Sequence, residues 1–500
     1  MSQKRRSGIL LHPSSLAGPQ AIGTLGQEAY DFVDFLVTTG QSVWQILPLG
    51  PPGYGHCPYS ADSAFAGNPQ LISFEKLVAA GDLSAAELPE SPEASDAVDF
   101  VVVERQLPLL KSAYRHFIEN AEQKRHQAYD QFCSEQAYWL NDYAIFAAMQ
   151  QSQQTGWQHW PKAVRQRREE GLHQWGTKLQ GDISWHKYLQ FVFFEQWFAL
   201  KNYANRQGVM ILGDLPIFVA ENSVDVWANR SLFHLDEKDR PTLVAGVPPD
   251  YFSKTGQRWG NPLYNWERMA TDNFAWWRAR FHWNLQQFDL IRVDHFRGFV
   301  ACWAIPAKEK TAINGSWVAT PGEQLLALLK DELEELPIIA EDLGIITPDV
   351  ENLRDQFALP GMKILQFAFD SGPKNPYLPH NHRANSVVYT GTHDNNTSLG
   401  WWRVLDAEGK AQVREYLKRP CRDMPWPLIN CAFASVADLA IIPMQDLLGL
   451  DGKARMNHPG TVQGNWLWRL LPAQPSREIS AQLRHVTHLY GRSLCIPAET

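Results

Sequence analysis

The sequence predicts an α/β protein whose eight parallel strands close into a (β/α)8, or TIM, barrel. Three observations support this prediction: short apolar runs recur along the chain, helical patterns lie between them, and carboxylate side chains follow several of the runs. Alternating strands and helices imply a parallel sheet with right-handed crossovers. Eight such units favour a closed barrel over an open sheet.

The eight candidate strands are short apolar runs that end in turn-forming or polar residues. Several are apolar at nearly every position, as is typical of strands buried on both faces. The runs are Ser7–Leu11, Val43–Leu49, Val209–Asp214, Leu290–His295, Ile338–Leu343, Met362–Phe369, Ser386–Thr392 and Leu439–Leu448. We expect the first and the last of them to pair and close the barrel.

Helical patterns separate the runs. Gln27–Thr39 carries apolar residues at helical spacing and is followed by Gly40, a common helix stop. Glu323–Leu336 repeats leucine at the same spacing. Thr347 followed by Pro348 predicts the start of another helix, because these residues suit the capping and first positions.

Two stretches depart from the regular alternation. Between the second and third strands, Ser84–Asp99 has the composition of an exposed connection, and Val101–Arg206 is helix-forming and rich in glutamine. We therefore predict a mainly helical insertion over about residues 52–205, and a second, a lid loop with helices, over about 220–280. Asp370–Asn385 lacks a helical pattern, so one barrel helix is predicted to be missing or vestigial. The expectation is a single catalytic barrel spanning 1–500, with its insertions on the C-terminal face and no separate C-terminal β domain.

Composition excludes several classes of protein. A formal net charge of −8 argues against a nucleic-acid partner, which usually requires a basic face. The sequence has no run of about 18 apolar residues, so no membrane span is predicted, and we identify no signal peptide at the N-terminus. Six scattered cysteines without C-x-x-C spacing predict free thiols in a reducing compartment. Twenty tryptophans fit either a large core or flat platforms for sugars, and composition leaves both open.

The ends of the predicted strands carry the candidate chemistry. Asp214, Asp294, Glu341 and Asp394 follow the third, fourth, fifth and seventh strands. In a parallel barrel these ends share one rim, where such enzymes keep their sites. Any one of these carboxylates could instead cap the following helix. Four together favour a site that cleaves a glycosidic bond, since that reaction needs one carboxylate to attack and one carboxylic acid to protonate the leaving oxygen.

The motifs resemble those of the α-amylase superfamily, and most closely the amylomaltases, or 4-α-glucanotransferases, of glycoside hydrolase family 77. The resemblance covers nearly the whole chain and lies in residues 12–16, 44–51, 246–252, 256–262 and 457–461. It implies transfer of an α-1,4-glucan segment to the 4-hydroxyl of an acceptor glucan or glucose. The family reaction is a retaining double displacement through a covalent glycosyl-aspartate.

The resemblance also implies the roles of the carboxylates. Asp294 matches the nucleophile, which Arg292 would hold ionised. Glu341 matches the general acid/base, and Asp394 matches the third carboxylate, which stabilises the transition state. Asp214 matches a residue near the −1 sugar, although ordering the turn at Pro216 is an alternative role.

Further residues match positions that bind substrate. His295, His393, Tyr59, Trp259, Gln257, Asp370 and Asn465 are the candidates for sugar contacts near the cleft, and Tyr54 resembles a residue of a second glucan groove. The resemblance places a lid over the cleft at 248–252 and 257–259. An ordinary loop with Trp259 packed inward is the alternative. No phosphate loop, dinucleotide fingerprint or metal-ligand spacing is visible, so neither a cofactor nor a metal is predicted.

Two other functions remain open at this point. An α-1,4-glucan hydrolase or a phosphorylase of the same superfamily would carry the same carboxylates, which therefore cannot discriminate. A non-catalytic glucan-binding protein on the same barrel would lack at least one of them, and all three are present.

The expected partners are α-1,4-glucans, maltooligosaccharides and glucose, with no nucleic acid and no membrane. We expect a cytoplasmic role in maltodextrin, glycogen or starch metabolism, and the oligomeric state, monomer or weak dimer, stays open.

Overall fold

The structure, a computed structural model, describes residues 5–249, 253–344 and 346–494. Twelve β-strands form within these residues. They are β1 (Arg6–Leu10), β2 (Val43–Gln45), β3 (Met210–Pro216), β4 (Leu243–Val247), β5 (Gln257–Pro262), β6 (Leu290–Asp294), β7 (Ala301–Pro306), β8 (Ser316–Ala319), β9 (Ile338–Ala340), β10 (Gly361–Ile364), β11 (Ser386–Tyr389) and β12 (Leu439–Pro443).

Eight of these strands form a closed barrel in the order β1-β12-β11-β10-β9-β6-β3-β2. Every neighbouring pair is parallel, and β1 pairs with β12 from Arg6↔Leu439 to Leu10↔Pro443, which closes the barrel as predicted. All eight predicted strands are confirmed. Six of them, β2, β6, β9, β10, β11 and β12, are shorter than predicted. In β10 and β12 the reason is that the chain turns directly into a helix, a 3-10 helix at Leu365–Phe367 and an α-helix at Met444–Leu447.

Close packing inside the barrel explains two glycines in its strands. A Cβ on Gly8 would lie 2.2 Å from the backbone oxygen of Val43, and one on Gly213 would lie 2.2 Å from the ring of Phe288. Neither gap admits a side chain, since real carbon contacts are well beyond 3 Å. The strands therefore approach their neighbours as closely as the backbone allows.

Eighteen α-helices lie within the described residues. They are α1 (Gln27–Thr38), α2 (Phe74–Ala79), α3 (Phe100–Asn120), α4 (Gln123–Glu135), α5 (Ala137–Gln153), α6 (Lys162–Arg165), α7 (Glu169–Lys178), α8 (Gln180–Arg206), α9 (Val224–Ala228), α10 (Trp266–Ala270), α11 (Ala275–Gln287), α12 (Gly322–Leu333), α13 (Pro348–Gln356), α14 (Ser398–Val404), α15 (Ala407–Leu417), α16 (Trp426–Ala434), α17 (Met444–Leu447) and α18 (Arg477–Leu489). The three predicted helices correspond to α1, α12 and α13. No helix in the described ranges is long and apolar enough to cross a membrane.

The segment between β2 and β3 is mainly helical, as predicted, and holds α2 to α8. The long helix α8 is bonded to the first part of this segment: the Gln190 amide exchanges hydrogen bonds with the backbone of Gly67, and Gln196 does the same with Ser73. Residues 365–385 contain only 3-10 turns, so the predicted absence of an α-helix between β10 and β11 is confirmed.

A second, four-stranded antiparallel sheet in the order β5-β4-β7-β8 lies outside the barrel, and the sequence analysis missed it. Residues 220–280 therefore hold strands as well as the expected loop and helices. The strand β5 runs Gln-Arg-Trp-Gly-Asn-Pro and is largely exposed, so it lacks the apolar run that marks a buried strand. Of the predicted lid, Asp250–Phe252 lies outside the described residues, as does Cys495 among the predicted free thiols.

Candidate active site

The four predicted carboxylates lie at the C-terminal ends of barrel strands. Asp214 belongs to β3, Asp294 is the last residue of β6, Glu341 follows β9, and Asp394 lies in the turn after β11. β3, β6 and β9 are neighbours in the barrel. Asp294 pairs in register with Pro216, and the strand registers bring the Asp294 and Glu341 segments side by side.

Arg292 joins two of these carboxylates. Its Nη1 donates to both oxygens of Asp214, at 2.8 and 2.6 Å, and its Nη2 donates to Oδ1 of Asp294 at 2.8 Å. Burial disfavours the guanidinium charge, but Asp214 and Asp294 outweigh burial and raise the pKa of Arg292 above its ordinary value. A planar guanidinium can serve both acids at once, which an ammonium group cannot do with the same geometry.

Asp214 faces the protein rather than the cleft. It is 2% exposed, and its Oδ2 also accepts a hydrogen bond of 2.7 Å from the Tyr59 hydroxyl. Burial raises the pKa of Asp214, while the Arg292 charge lowers it. The geometry thus makes Asp214 a support for Arg292 and Tyr59, and a direct contact with a sugar stays a prediction.

Glu341 is held beside Asp294 by backbone groups. Its Oε2 accepts from the His295 N–H at 2.7 Å, and its Oε1 accepts from the Leu343 N–H at 3.0 Å. Burial is the largest influence and raises the pKa of Glu341 to about 8, with Asp294 adding to the rise and Arg292 opposing it. A carboxyl group that keeps its proton near neutral pH has the property that a general acid requires.

His295 adopts a left-handed backbone conformation, with φ of 53°, immediately after Asp294. Burial lowers the pKa of its imidazole to about 4, so the ring is neutral near pH 7. Its Nε2 is buried and has no hydrogen-bond partner within the described residues. The ring packs edge-on against Trp259, with centroids 4.9 Å apart.

Asp394 is held from the loop that follows α17. Its Oδ1 accepts from the Asn457 amide at 2.7 Å, and its backbone oxygen accepts from Arg455 at 2.9 Å. Its Oδ2 lies 3.4 Å from Nε2 of the buried His393. The motif containing Asn457 was recognised in the sequence, but its contact with Asp394 was not predicted, because the two residues are far apart along the chain.

Aromatic rings form one wall beside these acids. Tyr59 stacks on His393 with centroids 5.1 Å apart, and Trp466 lies 5.9 Å from Tyr59 and 6.0 Å from His393. Trp466 was not among the predicted site residues. The structure therefore brings Tyr59 and His393 together with Asp214 and Asp394.

The other predicted contacts differ in exposure and in the partners of their side chains. Trp259 is 39% exposed and donates from its indole to the Gln257 side chain at 3.2 Å, so both sit on β5 over His295. Asp370 is exposed after β10 and accepts from Asn375. The Asn465 amide bonds within its own loop, to His458 and Thr461. Tyr54 is 81% exposed.

No group of three or more histidine, cysteine or acidic side chains suited to a metal occurs among the described residues. Cys57, near the cleft, is unpaired, and burial raises the pKa of its thiol to about 11. The thiol is therefore protonated near neutral pH, which makes it a poor metal ligand or nucleophile.

Comparison with known proteins decides the family. Residues 11–474 match the model of glycoside hydrolase family 77, described as 4-alpha-glucanotransferase. The chain belongs to this family. A 4-alpha-glucanotransferase from Thermus thermophilus is 49% identical over 494 residues, which cover 97% of this chain and 98% of the relative. One from Synechocystis sp. is 48% identical, covering 99% of both chains.

A solved structure supports the same assignment. An amylomaltase from Streptococcus agalactiae in complex with acarbose matches with a TM-score of 0.94 and 40% identity, covering 98% of this chain and 100% of that one. The (β/α)8 fold and the 4-α-glucanotransferase activity predicted from sequence are thereby confirmed, and the chain is an enzyme of this family.

Proposed function

We propose that the enzyme transfers α-1,4-glucan segments by a retaining double displacement centred on Asp294, Glu341 and Asp394. The observation that carries the proposal is the arrangement at the rim. Asp294 is ion-paired to the buried Arg292, and its neighbour Glu341 is half-buried with a raised pKa. One acid is thus paired with a fixed positive charge and the other favours its protonated form, which is the division of labour that glycosidic cleavage requires.

In the first step, a carboxylate oxygen of Asp294 attacks the anomeric carbon of the donor. The bond from that carbon to the glycosidic oxygen breaks, and the proton of Glu341 goes to the departing oxygen. The donor's reducing end leaves with a new hydroxyl group, and the retained segment is an ester of Asp294. The Arg292 contact stabilises the attacking carboxylate and fixes its orientation.

In the second step, an acceptor glucan or glucose occupies the place of the departed piece. Glu341, now ionised, takes the proton of its 4-hydroxyl as that oxygen attacks the anomeric carbon. The ester bond breaks, and Asp294 is released as a carboxylate. Two inversions give net retention, and Glu341 ends protonated again, now with the proton of the acceptor hydroxyl.

The surrounding residues are proposed to hold the −1 sugar and the chain. Asp394 and His393 would bond hydroxyl groups of that sugar, with Asn457 fixing the Asp394 carboxylate. Trp259, which packs on His295, and Tyr59, which bonds to Asp214, offer ring surfaces near the acids. Gln257, His295, Asp370 and Asn465 remain candidates for polar contacts. Tyr54, which is exposed, remains a candidate for a separate groove.

The proposed substrates are α-1,4-glucans and maltooligosaccharides as donors, with the same chains or glucose as acceptors. We also propose that the chain works as one catalytic barrel with its insertions at the cleft, acting in the cytoplasm. The five described cysteines are unpaired, which fits a reducing compartment.

Incubation of the pure protein with maltotriose tests the proposal. Products separated by length should form a ladder of longer maltooligosaccharides together with glucose. Only glucose and maltose would mean that water is the acceptor, as in the hydrolase alternative. The Asp294→Asn variant should form no product, and a ladder from this variant would exclude Asp294 as the nucleophile.

A further inference from the structure

The small sheet carries two exposed tryptophans, one on each edge strand. Of the twenty tryptophans, all of which lie in described residues, Trp259 and Trp317 alone are exposed, at 39% and 40%. Trp259 lies on β5 and Trp317 on β8, at opposite edges of the sheet β5-β4-β7-β8. Trp259 packs against His295, which adjoins the nucleophile, and Trp317 was assigned no role above.

Trp317 stacks on the same short segment that Trp259 contacts. The guanidinium of Arg297 lies under the Trp317 ring, 4.0 Å from its centroid. Arg297 is only three positions beyond Asp294, so the two tryptophans contact the same short segment after the nucleophile, Trp259 at His295 and Trp317 at Arg297. A cation on one face of an indole ring attracts it and fixes its position, leaving the other face for a ligand.

The ring of Trp317 is fixed from the side as well. Trp303 packs edge-on against it with centroids 5.3 Å apart, and the Trp303 indole N–H donates to the Ala312 backbone oxygen at 2.8 Å. After β8, the Thr320 hydroxyl donates to the Gly298 oxygen at 2.9 Å. An exposed aromatic ring held this firmly loses little conformational freedom when it binds a ligand.

The position of the Trp317 ring relative to Glu341 indicates on which side of the cleft the ring lies. Arg297 donates to the Thr347 hydroxyl at 2.9 Å, just before α13, and the Phe296 N–H donates to the Glu341 backbone oxygen at 3.1 Å. The segment under Trp317 therefore runs beside the proposed acid/base. That residue protonates the leaving oxygen and deprotonates the incoming hydroxyl, so departing and arriving sugars lie on its side.

We propose that Trp317, supported by Arg297, is an outer binding platform for the acceptor chain, stacking a glucose ring beyond the one that reacts. The proposal rests on the function proposed above, because it takes Glu341 as the marker of the acceptor side. An α-glucan is the occupant favoured here because the platform adjoins the site that processes such chains. The ring also presents the flat apolar surface that suits the C–H face of a sugar.

Acceptor length separates this platform from the reacting centre. With maltotriosyl fluoride as donor, the leaving group is a fluoride ion that occupies no outer acceptor position, and glucose or maltoheptaose serves as acceptor. Trp317→Ala should lower kcat/KM for maltoheptaose roughly tenfold, which corresponds to about 1.4 kcal/mol. It should leave kcat/KM for glucose within about twofold of wild type, and Trp317→Phe should recover most of the maltoheptaose value because a ring is retained.

Trp175→Ala is the matched control, since Trp175 also lies under a cation, Lys178 at 4.2 Å, but on α7. Equal values for Trp317→Ala and Trp175→Ala with both acceptors would overturn the proposal. An equal loss with glucose and maltoheptaose would also overturn it, because Trp317 would then act only through Arg297 on the reacting centre. If Trp317→Ala changed only the sedimentation coefficient of the enzyme, the edge strand β8 would be assigned to self-association, and the proposal would be wrong. If the wild-type enzyme elongated neither acceptor, the proposed function itself would fail.

Discussion

Substitution of Arg292 is the most stringent test of the site, because one guanidinium binds two carboxylates. In Arg292→Lys the charge is kept, but a single ammonium group replaces a planar fork. The lysine can still approach Asp214, whose two oxygens face Nη1 of Arg292 at 2.8 and 2.6 Å. It cannot also hold Asp294, which Nη2 reaches at 2.8 Å on the other side.

The size of the effect follows from the contact that is lost. A hydrogen bond to a charged group contributes about 1.5–3 kcal/mol, so kcat for transfer should fall by about 10- to 150-fold. Stability should change little, because the buried charge is retained. Arg292→Met leaves Asp214 buried without a counter-charge, and removal of one partner of a buried ion pair costs about 3–5 kcal/mol. This second variant should therefore lower the melting temperature markedly as well as the activity.

The assay is the initial rate of maltotriose disproportionation, combined with the free energy of unfolding from urea titration. Arg403→Lys is the matched control, because Arg403 forms an exposed ion pair with Asp451 at 2.7 Å, and exposed pairs contribute about 0–1 kcal/mol. Rates for Arg292→Lys within twofold of the Arg403→Lys rates would refute the assignment of Arg292 to the nucleophile.

Four further predictions follow from the geometry. Because Glu341 must be protonated to act as an acid and its pKa is raised to about 8, kcat/KM for maltotriose should fall as the pH rises through about 8, and a flat profile from pH 7 to 10 would contradict this. Because the pKa of Glu341 is higher in the folded than in the unfolded state, its contribution to stability is complete below the unfolded-state pKa and is lost as the pH rises through about 8. The melting temperature of the wild type should therefore fall relative to that of Glu341→Gln between pH 5 and 9. Asn457→Ala removes the 2.7 Å contact with Asp394 and should lower kcat about 5- to 30-fold. The kcat of Asn457→Asp should be lower still, because its carboxylate would repel that of Asp394. Near-wild-type rates for both variants would exclude this positioning role of Asn457. Gly67→Ala should destabilise the fold by about 1–3 kcal/mol in urea titration, since its Cβ would lie 2.0 Å from an aromatic ring, whereas Gly176→Ala, with nothing within 4 Å, should stabilise it slightly.

The barrel could be predicted because its strands are buried on both faces and so leave unbroken apolar runs in the sequence. Ile338–Ala340, for instance, is buried at every position. The small sheet left no such signal. Its strand β8 is exposed throughout, and β5 is mostly polar, so the pairing that forms them depends on antiparallel partners that periodicity cannot reveal.

Placement of the carboxylates was predictable for the same reason as the strands. Residues that follow parallel barrel strands must share a rim, so Asp294 and Glu341 were expected together. The contacts that support these carboxylates come from loops, and no pattern in the sequence relates those loops to the carboxylates. The Asn457 contact with Asp394 and the Tyr59 contact with Asp214 join residues far apart in sequence. Asn465 is a further example, because its side-chain amide is hydrogen-bonded within its own loop, which the sequence pattern does not reveal.

The central claim, a covalent glycosyl intermediate on Asp294, can be tested by intact-protein mass spectrometry of Glu341→Gln mixed with maltotriosyl fluoride. Fluoride leaves without a proton, so the first step should proceed, whereas the second lacks its base and the intermediate should accumulate. We predict an added mass of one maltotriosyl unit, mapped by digestion to the peptide that contains Asp294, and no added mass in the Asp294→Asn, Glu341→Gln double variant. An unmodified protein that still consumes the donor, or a label on any other residue, would contradict the account.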